Sequence, residues 1–166
     1  MEEFLSTIGR LVAVIFLLLL NGFFVAAEFA IVRVRGTTVE KLLKRGSRRA
    51  RIIDHLVKHL DAYLSACQLG VTIASILLGW VGEETMRRIF VEPVFRAFSI
   101  HNETVMRWTS FFFGTGLVVY LHVVVGELAP KSLAIRKAEP TAMWIAYPLY
   151  FFDLVFKPAI ALLNRS

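Results

Sequence analysis

The sequence predicts an all-α membrane protein, and three observations carry that prediction. The 166 residues are 57% hydrophobic, with a mean hydropathy of +0.63; soluble domains sit near 45–50% even by a broader count. The apolar residues gather in runs from about Leu11 to Val32, Ala62 to Gly82 and Val105 to Gly126. Each is near the ~20 residues that cross a ~30 Å hydrocarbon core. The basic residues cluster beside those runs. The net charge of +6 and the pI of 9.8 therefore point to anionic lipid headgroups rather than nucleic acid.

The first span is interrupted only by Asn21 and Glu28. It follows an acidic Met-Glu-Glu start and is too long for a signal-peptide core, so cleavage is not expected. The loop after it carries Arg33, Arg35, Lys41, Lys44, Arg45, Arg48, Arg49, Arg51 and Lys58 against Glu40 and Asp54. The positive-inside rule makes this loop cytoplasmic. The amino terminus is then expected outside and the carboxyl terminus inside. Within the loop, Val39, Leu42, Leu43, Ile53, Leu56, Val57 and Leu60 follow helical spacing, which predicts an amphipathic helix over about 37–60, broken at Gly46. The segment from Pro140 to Leu163 is apolar enough to span, but Pro140, Pro148 and Pro158 punctuate it, and Asp153 and Lys157 are charged. A kinked juxtamembrane helix in the cytoplasmic interface is favoured over a fourth span. The chain stops as that segment ends, so a larger protein cut to its membrane part is the expectation.

The polar residues inside the spans are the candidate functional groups. Asn21, Val25 and Glu28 share a helix face, and an ionisable residue at membrane depth is a functional candidate, with a structural pair as the alternative. In the second span Ser65, Gln68, Thr72, Ser75 and Gly79 form one stripe. Such a stripe faces another helix or a wet cavity. For Ser75 and Gly79 helix–helix packing is the favoured role; Gln68 and Thr72 are candidates for function. Cys67 is expected to be a small buried hydrophobe. The third span ends in Gly126-Glu127-Leu128-Ala129-Pro130-Lys131. Pro130 has no N–H, which leaves the Gly126 carbonyl without its helical partner. The helix is expected to end or unwind there, exposing carbonyl oxygens beside the Glu127 carboxylate. Those are hard ligands suited to Mg²⁺, Ca²⁺ or Na⁺; the alternative is an ordinary helix stop with Glu127 solvated or paired to Lys131. His122, four residues before Gly126, is expected to bond a neighbouring helix, with ligation or proton relay as the alternative. Motifs for hydrolysis, metalloprotease chemistry or phosphate cradling are missing from the sequence, so an enzyme is not expected.

Three strings carry a resemblance: Asn21-Gly-Phe-Phe-Val-Ala-Ala-Glu28, Ser65-Ala-Cys-Gln-Leu-Gly-Val-Thr72 and His122-Val-Val-Val-Gly-Glu-Leu-Ala-Pro-Lys131. Together they resemble the transmembrane domain of the CorC/CNNM family of Mg²⁺ transporters, particularly its bacterial, hemolysin-like branch. The resemblance implies a homodimer in the bacterial inner membrane, with three spans per subunit and a kinked juxtamembrane helix. It implies Mg²⁺ export by alternating access, with Na⁺ as the coupling ion, and cytoplasmic CBS domains that bind ATP in the full-length protein and are absent from this chain. Glu127 becomes the central Mg²⁺ ligand, with Gly126 supplying a carbonyl. Serines that many members place before the first-span glutamate are Val25, Ala26 and Ala27 here. Backbone carbonyls near Ala27, or waters, stand in for them, and Gln68 and Thr72 replace the family's second-span asparagines. The rival reading is a membrane anchor or ion sensor for attached cytoplasmic domains. A transporter needs Gln68, Thr72 and Glu127 convergent on one cavity; an anchor does not.

Overall fold

A computed structural model describes the backbone of residues 2–44, 46–98 and 102–163. All its regular elements are helices: α1 (Glu2–Arg33), α2 (Gly36–Lys44), α3 (Arg48–Lys58), α4 (Leu60–Ala97), α5 (Glu103–Arg136) and α6 (Ala138–Leu163). Among the described residues three helices are long and apolar enough to cross a bilayer, within α1, α4 and α5. The helix α6 holds the 140–163 segment as one element, with Pro148 and Pro158 in its interior. The chain divides into two compact units, Met1–Asn21 with Ile73–Gly126, and Gly22–Thr72 with Glu127–Ser166.

The second unit contains α2 and α3, two helices with the break near Gly46 that the sequence anticipates within its amphipathic stretch. Gly46 adopts φ +73°, which glycine tolerates because it lacks a Cβ. Its N–H donates to the Leu43 carbonyl at 2.9 Å, and the Ser47 N–H to the Leu42 carbonyl at 3.3 Å. These are the two bonds of a Schellman stop, which satisfies carbonyls that the end of α2 would leave unpaired. Ser47 then caps α3 by accepting from the Ala50 N–H at 3.3 Å. The apolar face of α3 packs on α6; Ala50, Ile53 and Leu56 on one helix and Ala142, Ile145 and Leu149 on the other are buried. Aromatic edges fasten α1 to α6 through Phe23–Trp144 and Phe24–Phe152. The helices α1 and α4 approach so closely here that a Cβ on Gly70 falls 2.5 Å from the Phe24 ring.

The first unit has its apolar core in Val14, Leu17, Leu18, Leu78, Met86 and Val118. Its helices contain wide turns. One π turn, Arg87–Val91, lies in α4, and Ser110–Gly114 is a second, in α5. A third, His122–Leu128, closes the third span. Of the expected end or unwinding at Gly126–Pro130, the helix end is corrected here: the helix widens into this π turn and then continues through Pro130 to Arg136. Two physical reasons account for it. A π turn accommodates a local mismatch without leaving the helix. The carbonyl that Pro130 deprives of a donor is also not left open, because the Asn21 side-chain amide donates to the Gly126 oxygen at 3.1 Å. Asn21 is fully buried, and its own oxygen accepts from the Ser75 hydroxyl at 3.3 Å. That hydroxyl also lies 3.2 Å from His122 Nε2.

Two outcomes follow for stability in detergent. Gly70→Ala lowers it by about 1–3 kcal/mol, because the added Cβ forces a shift of the buried Phe24 ring and of its edge contacts with Phe23 and Phe152. Asn21→Ala costs about 1–3 kcal/mol by orphaning the Gly126 carbonyl. Pro130→Ala restores a backbone donor, so the Asn21→Ala/Pro130→Ala double variant is less destabilised than the sum of the single variants. Thermal melts of all four proteins measure a coupling of about 1 kcal/mol; strict additivity refutes the substitution of one donor for the other.

Candidate functional site

Within the second unit a groove of about 440 Å³ is lined by Val25, Glu28, Phe29, Gln68, Val71, Thr72, Glu127 and Lys131. Four candidates taken from three separate strings thus meet: Glu28 from α1, Gln68 and Thr72 from α4, and Glu127 from α5. The helical repeat explains the α4 pair, since residues four apart stand one above the other. The Thr72 hydroxyl donates its proton to the Gln68 carbonyl at 2.8 Å. That spends the donor inside the helix and leaves the oxygen lone pairs for a ligand. Gln68 and Thr72 are exposed, whereas Glu28 and Glu127 are half-buried.

Lys131 is the groove residue whose role the sequence shows least. Its spacing from Glu127 suggests an ion pair. The structure places its ammonium 4.5 Å from the centroid of the Phe29 ring, in cation–π range. With Glu28 and Glu127 ionised and Lys131 protonated, the groove carries a net charge of −1. It therefore attracts cations. The available donors are carboxylate, carboxamide and hydroxyl oxygens, a hard set that suits Mg²⁺, Ca²⁺ or Na⁺ over thiophilic metals. Cys67 is fully buried and is not part of the lining. Among the described residues no three His, Cys, Asp or Glu side chains converge on one point.

The remaining candidates lie elsewhere. Ala27 is fully buried within unbroken α-helix, where its carbonyl serves the helical ladder, and it is not a lining residue. Ser65 donates to the Asp61 carbonyl at 3.0 Å. Gly126, Asn21, Ser75 and His122 make up the polar cluster of the first unit. Gly79 has open space where a Cβ would stand, so no close packing there needs glycine. The stripe on α4 is therefore divided: Gln68 and Thr72 face the groove, while Ser75 joins helices. The Asn21–Gly126 bond was hidden from the sequence because it links positions 105 residues apart.

Comparison with known proteins agrees with the spans and the motif strings. The family model "Cyclin M transmembrane N-terminal domain" matches residues 12–166. The UPF0053 protein YhdP of Bacillus subtilis is 45% identical over 159 residues, covering 96% of this chain and 35% of its own length. The UPF0053 protein YugS of the same organism is 44% identical over 157 residues, 95% of this chain and 36% of its own. The uncharacterized protein Rv1841c of Mycobacterium tuberculosis is 36% identical over 145 residues, 87% of this chain and 40% of its own. The chain thus spans little more than a third of the length of these relatives. With three bilayer-length helices and a match over nearly its whole length, this chain belongs to the CNNM transmembrane-domain family, the CorC/CNNM-related membrane proteins.

Proposed function

We propose that this chain is the ion-translocating domain of a Mg²⁺ transporter, exporting Mg²⁺ by alternating access with Na⁺ entry as the driving force. The observation that carries the reading is the convergence of Glu28, Gln68, Thr72 and Glu127 on one groove. An anchor would not need oxygen donors from three helices gathered at one place. Glu127 neutralises the cation, Gln68 and Thr72 supply neutral oxygens, and water completes the shell, as Mg²⁺ commonly requires. Glu28 serves the coupling Na⁺ or shares the divalent charge. Lys131 acts as a tethered monovalent cation. Held over the Phe29 ring, its ammonium offsets part of the carboxylate charge and leaves room for the cation between Glu28 and Glu127. A site of net charge −1 binds weakly and releases its ion, as a transporter must.

The same reading extends to the assembly. Carboxamide and hydroxyl groups exposed at membrane depth require water or another chain beside them. The most apolar stretches of the second and third spans are only 28% and 17% buried, which leaves wide faces for lipid and for a second copy. A homodimer in the bacterial inner membrane, amino terminus outside, fits both needs. The α2–α3 hairpin, with exposed Lys41, Lys44, Arg48, Arg49 and Arg51, then lies at the cytoplasmic headgroups. Regulatory CBS domains that bind ATP belong to the remainder of the full-length protein.

The test is Mg²⁺ efflux from loaded liposomes carrying the full-length protein. Glu127→Gln removes one of two carboxylates facing a divalent ion, forfeiting about 3 kcal/mol and lowering apparent affinity roughly a hundredfold. Lys131→Met, which keeps the apolar stem, tightens Mg²⁺ binding and slows its release. Flux unchanged in Glu127→Gln removes the groove from the transport path.

A further inference from the structure

A second polar cavity, of about 330 Å³, is lined by Glu83, Glu84 and Arg87 of α4 and Glu103, Met106, Arg107 and Ser110 of α5. All of these residues lie in the first unit. Most of the neighbouring charge is internally matched. Glu84 takes Arg87 at 2.7 Å and Arg88 at 2.7 Å, with Arg10 at 3.7 Å, and Arg87 also takes Glu92 at 2.7 Å. Among the described residues Glu83, Glu103 and Arg107 form no ion pair. Two carboxylates therefore remain at the cavity against one guanidinium.

The second observation is independent of charge. Ser110 is 2% exposed, and its hydroxyl is a buried polar group with no hydrogen-bond partner. Helical hydroxyls ordinarily donate to the carbonyl four residues back. Ser65, Thr72 and Thr85 do so here. Ser110 opens a π turn and does not, so a buried polar group is left unsatisfied. A buried hydroxyl without a partner, on a residue that lines a cavity with two carboxylates outside any ion pair, is a donor set suited to a hard cation.

We propose that this cavity is a divalent-cation site, separate from the groove of Glu127, in which Ser110 supplies a neutral oxygen and Glu83 and Glu103 supply the charge. Water fills the other coordination positions. Arg107 opposes binding and keeps the site weak. The proposal does not rest on the transport reading, since an anchor could carry such a site equally well.

Met106 lines the same cavity and provides a local reporter. The chain has four methionines, so methyl-¹³C-methionine labelling in nanodiscs gives a spectrum simple enough to assign by substitution. Titrated Mn²⁺ broadens the Met106 methyl signal saturably, in the roughly millimolar range of weak oxygen sites, and Mg²⁺ reverses the broadening. Glu83→Gln and Glu103→Gln each raise the half-saturation concentration about tenfold, and Arg107→Ala lowers it. Ser110→Ala raises it about fivefold while the fold is kept, because an unsatisfied group has been removed. Glu127→Gln leaves it unchanged. Broadening that grows linearly without saturation reflects diffuse attraction and overturns the proposal. A Ser110→Ala protein that is more stable yet binds Mn²⁺ as before also overturns it, by showing the hydroxyl to be an uncompensated defect.

Discussion

A backbone carbonyl at membrane depth has no water to fall back on, and Pro130 removes the amide that would ordinarily serve Gly126. The Asn21 carboxamide answers that deficit at 3.1 Å. Much of the first unit is arranged around this one bond. Asn21 is held in turn by Ser75, and Ser75 by His122, so one satisfied carbonyl ties α1, α4 and α5 together. A Cβ on Gly126 would stand 3.0 Å from the Asn21 amide nitrogen, so glycine there lets the side chain reach the oxygen. Opening the helix would expose carbonyls to lipid at several kcal/mol each. Widening it and importing one donor costs far less.

The two polar cavities use oxygen differently. In the groove of the second unit the hydroxyl proton of Thr72 is spent on its own helix, so the oxygen is presented as an acceptor of fixed direction. In the cavity of the first unit Ser110 has no such commitment. The ion pairs around Glu84 and Arg87 neutralise one another at short range, which confines the unpaired charge to a few positions. Both places follow from helices that cannot bury every polar group against each other.

The sequence was most informative where a local rule governs. Three long apolar runs became the three bilayer-length helices, and Gly46 broke the basic hairpin where its αL conformation was needed. The 140–163 segment formed a single helix despite its prolines, because Pro140 sits in the first turn and neighbours on α3 hold the rest. The convergence of Gln68 and Thr72 was legible from their spacing, and their meeting with Glu127 was anticipated only as a condition a transporter has to meet; that Glu28 joins them was not anticipated. What the sequence could not convey was partnership across distance. Asn21 and Glu28 share a face in sequence, yet one serves a carbonyl 105 residues away and the other lines the groove. The wide turns escaped because a regular 3.6-residue period is blind to a change of phase.

That phase change has a mechanical meaning. A π turn accommodates one residue more than the α-helix around it, and one residue corresponds to roughly 100° of rotation about the axis. The turn at His122–Leu128 therefore sets the phase of the residues that follow it along α5. Shortening it by a single residue would leave the apolar composition of the third span almost untouched while swinging its terminal portion through more than a quarter of a circle. A one-residue gap in an alignment, ordinarily dismissed as noise, is at this position a rotary adjustment of the helix end.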